Sequence, residues 1–276
     1  MSESSHRLEP GHTPTDSTGA GTTPNEPVAP PPLPTINQIP VSAPRDWLRR
    51  GWEDMVATRF RGVFYGVAFV LMGYAIIWVY ANKWQLTMGL IGSFFLMGPL
   101  VCIGIYDLSR QRERGESVSL IKSMMCWRRS IASTAFFTII LTGAMLVWAR
   151  VSLVLFALSS STSFPTLKGV LGMVFSFENI QFLIIWAAVG FVFASFVFAV
   201  GLITMPMILD RDTDVFQAVF TSIRSLLSNP KPLYLWAAIV VVSIGASLIL
   251  GLLPLLITAP LIGHATWHAY RDLVAS

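Results

Sequence analysis

Leu233 to Gly263 is an uninterrupted apolar run of 31 residues, and no other feature limits the fold of this chain as strongly. A single helix of that length would reach about 46 Å. The hydrocarbon core of a bilayer is about 30 Å thick and is crossed by about 20 apolar residues. The run therefore reads as two spans divided at "LGLLP", with Pro254 in the first turn of a last helix that reaches about Tyr270, since proline suits that position.

Four more apolar stretches precede it: Val63 to Tyr80, Leu86 to Tyr106, Ile131 to Ala149 and Ile180 to Leu209. The chain is 54% hydrophobic and 12% charged, with a mean hydropathy of +0.63, which excludes a soluble domain. The expected fold is all-α, a polytopic membrane helix bundle with six transmembrane helices at about 63–80, 86–106, 131–149, 180–209, 233–250 and 254–270. Residues 1–43 are rich in Pro, Thr and Gly and predict a disordered cytoplasmic tail, leaving 44–276 as a single transmembrane domain. That tail lacks the basic start and apolar core of a cleavable signal, so the first span is expected to act as the targeting signal. Cys102 and Cys126 have no C-x-x-C spacing and read as unpaired structural thiols.

A formal charge of +4 does not point to nucleic acid here, because the distribution of Lys and Arg reports topology. Six spans would put the tail, the loops after spans two and four and the C-terminus on one side, together with sixteen of the nineteen basic residues. Lys83, Arg150 and Lys168 would lie opposite. The positive-inside rule makes both termini cytoplasmic.

Three amphipathic interfacial helices are expected on that side. "PRDWLRRGWEDMVAT" puts Trp47, Leu48, Trp52, Met55 and Val56 on one face and Arg45, Asp46, Arg49, Arg50, Glu53 and Asp54 on the other. "DTDVFQAVFTSIRSLLSNP" carries Val215, Phe216, Val219, Phe220, Ile223 and Leu227, with Thr213 as the expected N-cap. "SVSLIKSMMCWRRS" is a weaker copy with Val118, Ile121, Met124 and Met125. Each precedes a pair of spans, which suggests a threefold repeat of one interfacial helix and one hairpin.

His264 and His268 lie one turn apart and raise the question of a ligand site. The first reading is a boundary belt, or hydrogen bonding between helix ends, with Trp267, Tyr270 and Arg271. The second is a metal held by both histidines, with Asp107, Asp210 or Asp272 joining from other helices at similar depth. Arg150 sits within an apolar stretch and is read at the far interface if the third helix stops early, or paired with Glu178 if the helix continues to Leu158. "GVFYG", Gly62 to Gly66, would let another helix of the same chain pack closely. Asp210, Asp212 and Asp214 could bind a cation but read more simply as carboxylates favoured by a helix dipole. No catalytic or nucleotide-binding motif is present, so the chain is expected to be no enzyme and to need no cofactor.

"LDRDTDVFQAVFTSIRSLLSNP" and "PLIGHATWHAYRDL" make the chain resemble the bacterial integral membrane proteins of the DUF2189 family, over about Ile36 to Val274. The resemblance implies a protein of the bacterial inner membrane and brings no active site with it. Some members carry the label cytochrome c oxidase subunit I. This chain has only four histidines, with His6 and His12 in the tail, and two ligands one turn apart cannot sit on opposite faces of a haem. The expected role is non-enzymatic: membrane organisation or support of a membrane complex, with the bilayer and its anionic cytoplasmic lipids as partners. A transporter or permease is the first alternative and a metal-binding redox accessory protein the second.

Overall fold

The computed structural model describes residues 33–82, 101–159, 180–211 and 213–275. Most of the expected tail, the greater part of the 86–106 span, and Lys83, Lys168, Glu178 and Asp212 lie outside the described residues. Within them the regular structure is helical, apart from an isolated antiparallel bridge between Ile36 and Val274. The helices are α1 (Ala43–Ala57), α2 (Val63–Asn82), α3 (101–113), α4 (Leu120–Met125), α5 (Ile131–Ser159), α6 (Ile180–Gly201), α7 (Thr204–Arg211), α8 (Val215–Ser228), α9 (Pro230–Ile249) and α10 (Leu255–Leu273). A 3₁₀ turn, Cys126–Ser130, joins α4 to α5.

Among the described residues three stretches are long and apolar enough to cross a membrane: Ile131–Leu155, Ile180–Arg211 and Pro230–Ile249. Val63–Val79 and Val215–Ser228 are shorter apolar helices. Only 6%, 6% and 22% of the three long stretches is buried within the protein, so their apolar side chains point outward. Carboxylates and hydroxyls such as Asp54, Asp107, Thr221 and Ser222 are buried as well. They lie beside an apolar core that includes Trp47, Ile103, Met207 and Trp267, and the large apolar surface along the long helices is what departs from a water-soluble fold.

α10 is the central helix. The chain breaks between Ile249 and Leu255, where Gly251 and Leu252 take positive φ and Leu252 N–H bonds to the Ser247 carbonyl at 2.9 Å. This is a Schellman closure, with Gly251 at the left-handed position. α1 ends in the same way, with Phe60 N–H on the Met55 carbonyl at 2.9 Å, but Arg59 occupies the left-handed position at φ 55°. α1 and α2 then both lie against α10 through glycines: a Cβ at Gly51 would stand 2.8 Å from Ala265 N, and one at Gly66 would stand 2.5 Å from the Leu256 carbonyl oxygen. Pro260 lacks an N–H, so that carbonyl has lost its ordinary helical donor, and only glycine lets α2 approach it. Gly62 and Gly66 thus serve packing within the chain.

Several expectations change at the level of elements. α6 and α7 divide what reads as one helix, because the Ser222 hydroxyl donates to the Ala199 carbonyl at 2.6 Å and accepts from Ile203 N–H at 3.3 Å. Those two groups would otherwise bond each other, and an inserted side chain breaks the ladder. The cap of α8 is Asp214, accepting from Phe216 and Gln217 N–H at 2.7 and 3.1 Å, and not Thr213. α5 runs on to Ser159, beyond the expected end at Ala149. α1 buries Trp47, Gly51, Asp54 and Met55 and leaves Trp52 and Val56 exposed, so the face it turns to the protein is not the one that apolar spacing indicated.

Candidate functional site

The polar side chains converge where α1, α3 and α7 meet the C-terminal half of α10. Asp54 is the hub. It is 3% exposed and its carboxylate accepts from Ser109 Oγ at 2.5 Å, from His268 Nε2 at 3.0 Å and from the Arg112 guanidinium. Since Ser109 has one hydroxyl proton and gives it to Asp54, its oxygen accepts from His264 Nδ1 at 2.7 Å. His264 therefore carries a proton on Nδ1. Its Nε2 has no partner among the described residues, and a Cβ at Gly62 would stand 2.9 Å from it. Burial raises the proton affinity of Asp54, but the hydrogen bonds from His268 and Ser109, the charge of His268 and the Arg112 contact outweigh it and hold the carboxyl below its ordinary value of 3.8.

Three flanking networks tie the same elements together. Asp210 accepts from Tyr270 Oη at 2.8 Å, Arg114 at 3.1 Å and Arg271 at 3.2 Å, while Arg211 Nε donates to Tyr270 Oη at 3.0 Å. Glu113 accepts from Trp267 Nε1 at 2.9 Å and Arg271 Nε at 2.8 Å. Asp272 accepts from Trp47 Nε1 at 2.8 Å and from Arg50. Asp107 holds Arg110 at 2.5 Å and Gln111 at 2.6 Å, and Arg110 reaches the Leu209 carbonyl at 2.7 Å.

The two histidines thus meet at one carboxylate, directly or through Ser109, but that carboxylate is Asp54 and not Asp107, Asp210 or Asp272. Sequence reading placed Asp54 on the solvated face of α1. The signal that would have found it is the stripe Trp47, Gly51, Asp54 and Met55 at helical spacing, with glycine marking close contact. Ser109 gave no signal. His264, Trp267 and Tyr270 are buried and hydrogen-bonded between helix ends, so they do not form a belt at the surface. No group of three or more His, Cys, Asp or Glu side chains among the described residues is arranged to hold a metal. Trp47 is fully buried and packs edge-on against Trp236 at 5.6 Å, whereas Trp52 is 47% exposed beside Phe60. Arg150 is exposed on α5, with no ion pair among the described residues. Cys102 and Cys126 are free, and burial pushes the Cys126 thiol up to about 12, with the nearby Asp107 acting in the same sense.

Chemically, the cluster clamps helices. Ser109 is 1% exposed and held on both sides, so it presents no nucleophile to a substrate.

Residues 86–210 match the family model described as a predicted integral membrane protein, DUF2189. The match takes in α3 to α7 and is narrower than the resemblance read from the sequence, since both "GHATWHAYRDL" and α1 lie outside it. No curated protein and no solved structure matches the chain. Residues 86–210 are therefore similar to the DUF2189 family of predicted integral membrane proteins.

Proposed function

We propose that this chain is a six-span protein of the bacterial inner membrane that organises the cytoplasmic leaflet or supports a membrane complex, without catalysis. One observation carries the reading: apolar side chains face outward along the long helices, while the charged network is locked inside one end by ion pairs and hydrogen bonds. The bridge between Ile36 and Val274 supports a shared side for the segments next to both termini. Arg50, Arg110, Arg112, Arg114, Arg211 and Arg271 meet in that network, and all belong to the basic group assigned to the cytoplasm.

α8 supports contact with the leaflet. It buries Ala218, Thr221, Ser222 and Ser225 and exposes Phe216, Phe220 and Leu227, the orientation suited to an apolar surround. Arg49 and Arg50 are committed to Glu53 and Asp272, so anionic lipids fall to exposed cations with no ion pair among the described residues, such as Arg59, Arg128 and Arg224. For metal binding by His264 and His268, the geometry is less favourable: Nδ1 of one and Nε2 of the other are used within the protein, and the remaining nitrogen of His264 faces Gly62.

Alkaline phosphatase fused after Ser276 is expected to be inactive and a fluorescent protein fused there to fluoresce. Phosphatase activity at that position would overturn the topology. Stoichiometric metal in the purified chain, lost in His268→Ala, would favour the redox accessory alternative.

A further inference from the structure

Beside the first turns of α2 lies an apolar groove of about 350 Å³, walled by Phe64, Tyr65, Ala68, Val101, Met124 and Trp127. Volumes of this order are those of small-ligand sites. The polar groups at its base are already satisfied, because Tyr65 Oη donates to Ser123 Oγ, and Ser123 donates to the Gly104 carbonyl at 2.7 Å. Nothing in the groove calls for a polar occupant. Its surroundings are apolar too, with Ile121, Met124 and Met125 exposed along α4 and Phe64 exposed on α2.

The mouth is cationic. The Arg128 guanidinium lies 5.9 Å from the centroid of the Trp127 ring and is exposed, with no carboxylate partner among the described residues. One turn before Phe64, Arg61 has the Thr58 carbonyl, at 3.5 Å, as its hydrogen-bond partner among the described residues and no ion pair there. An apolar slot at the entry of a membrane helix, with unneutralised guanidinium at its edge, matches one chemistry: an acyl chain joined to an anionic headgroup.

We infer that this groove binds an anionic glycerophospholipid, with one acyl chain between Ala68 and Trp127 and the phosphate beside Arg128. The inference rests on the membrane placement proposed above and adds a discrete site to it. Occupancy would add to the Tyr65–Ser123 hydrogen bond that already joins α2 to α4.

The test uses the full chain in nanodiscs in which a minor lipid component carries brominated acyl chains. The Trp127 signal is the difference between wild type and Trp127→Phe. Brominated phosphatidylglycerol is expected to quench that signal at a lower mole fraction than brominated phosphatidylcholine, and Arg128→Gln should weaken the preference by about fivefold, the effect of one basic residue beside an anionic headgroup. Ala68→Phe, which fills the slot, should abolish quenching by the minor component, while Val67→Phe, outside the slot, should not. Ala68→Leu serves if the larger side chain prevents folding. Equal quenching by both lipids, or unchanged quenching in the Ala68 variants, would show ordinary boundary lipid and overturn the site. A second copy of the chain covering the groove, seen as a dimer that shields Trp127, would overturn it as well. A C-terminal fusion reporting the opposite side, with preferential quenching retained, would reject the proposed topology and leave the groove standing.

Discussion

At the scale of single residues, Asp54 decides the most. Its carboxyl is held below the ordinary value of 3.8, so its contribution is fully present above that pH and is lost as the pH falls through the lower value of the folded protein. The melting temperature of the purified chain in detergent should therefore fall on acidification below about pH 4, and Asp54→Asn should flatten that acid limb. At neutral pH the same substitution should cost about 3 kcal/mol, because it breaks a buried charge network from one side. Trp47 and Trp52 make a sharper contrast. Trp47→Ala removes a fully buried ring that also donates to Asp272, and should destabilise by about 3–5 kcal/mol; Trp52→Ala, on the exposed face, should cost under about 1 kcal/mol. Both were visible in the sequence as aromatic residues on one amphipathic helix. Which of them is buried depended on α10 meeting α1 through Gly51, a contact between residues far apart in the chain.

Among the elements, α8 and its contact with α6 carry the next lesson. Apolar spacing identifies the helix, but it cannot say whether its apolar stripe faces protein or lipid. The structure turns Thr221, Ser222 and Ser225 inward, and the Ser222 hydroxyl divides α6 from α7. Ser222→Ala should let Ala199 and Ile203 bond directly and join the two helices, at a net loss of about 1 kcal/mol read by thermal unfolding. A nitroxide at Phe220→Cys should collide more often with oxygen than with a water-soluble nickel chelate, and the reverse result would put that face in water. At the end of α1, Arg59 at φ 55° holds a place suited to glycine, so Arg59→Gly should preserve or raise the melting temperature by an amount worth up to about 1 kcal/mol. The Asp214 cap shows the same limit on a smaller scale: Thr213 and Asp214 are both capping residues, and only the backbone selects between them.

For the molecule as a whole, the chain by itself determined its class. Apolar runs of bilayer length, a break near Pro254 and basic residues gathered into a few segments follow from composition and spacing, because transfer into a membrane depends on side-chain chemistry summed over a local window. The tertiary structure alone decided that α10 is the central helix, that Asp54 and Ser109 join His264 and His268, and that an apolar slot opens between α2 and α4. Those features rest on pairs of residues separated by up to 214 positions, such as His268 and Asp54. Their energy exists only once helices have approached, through glycines small enough to permit it.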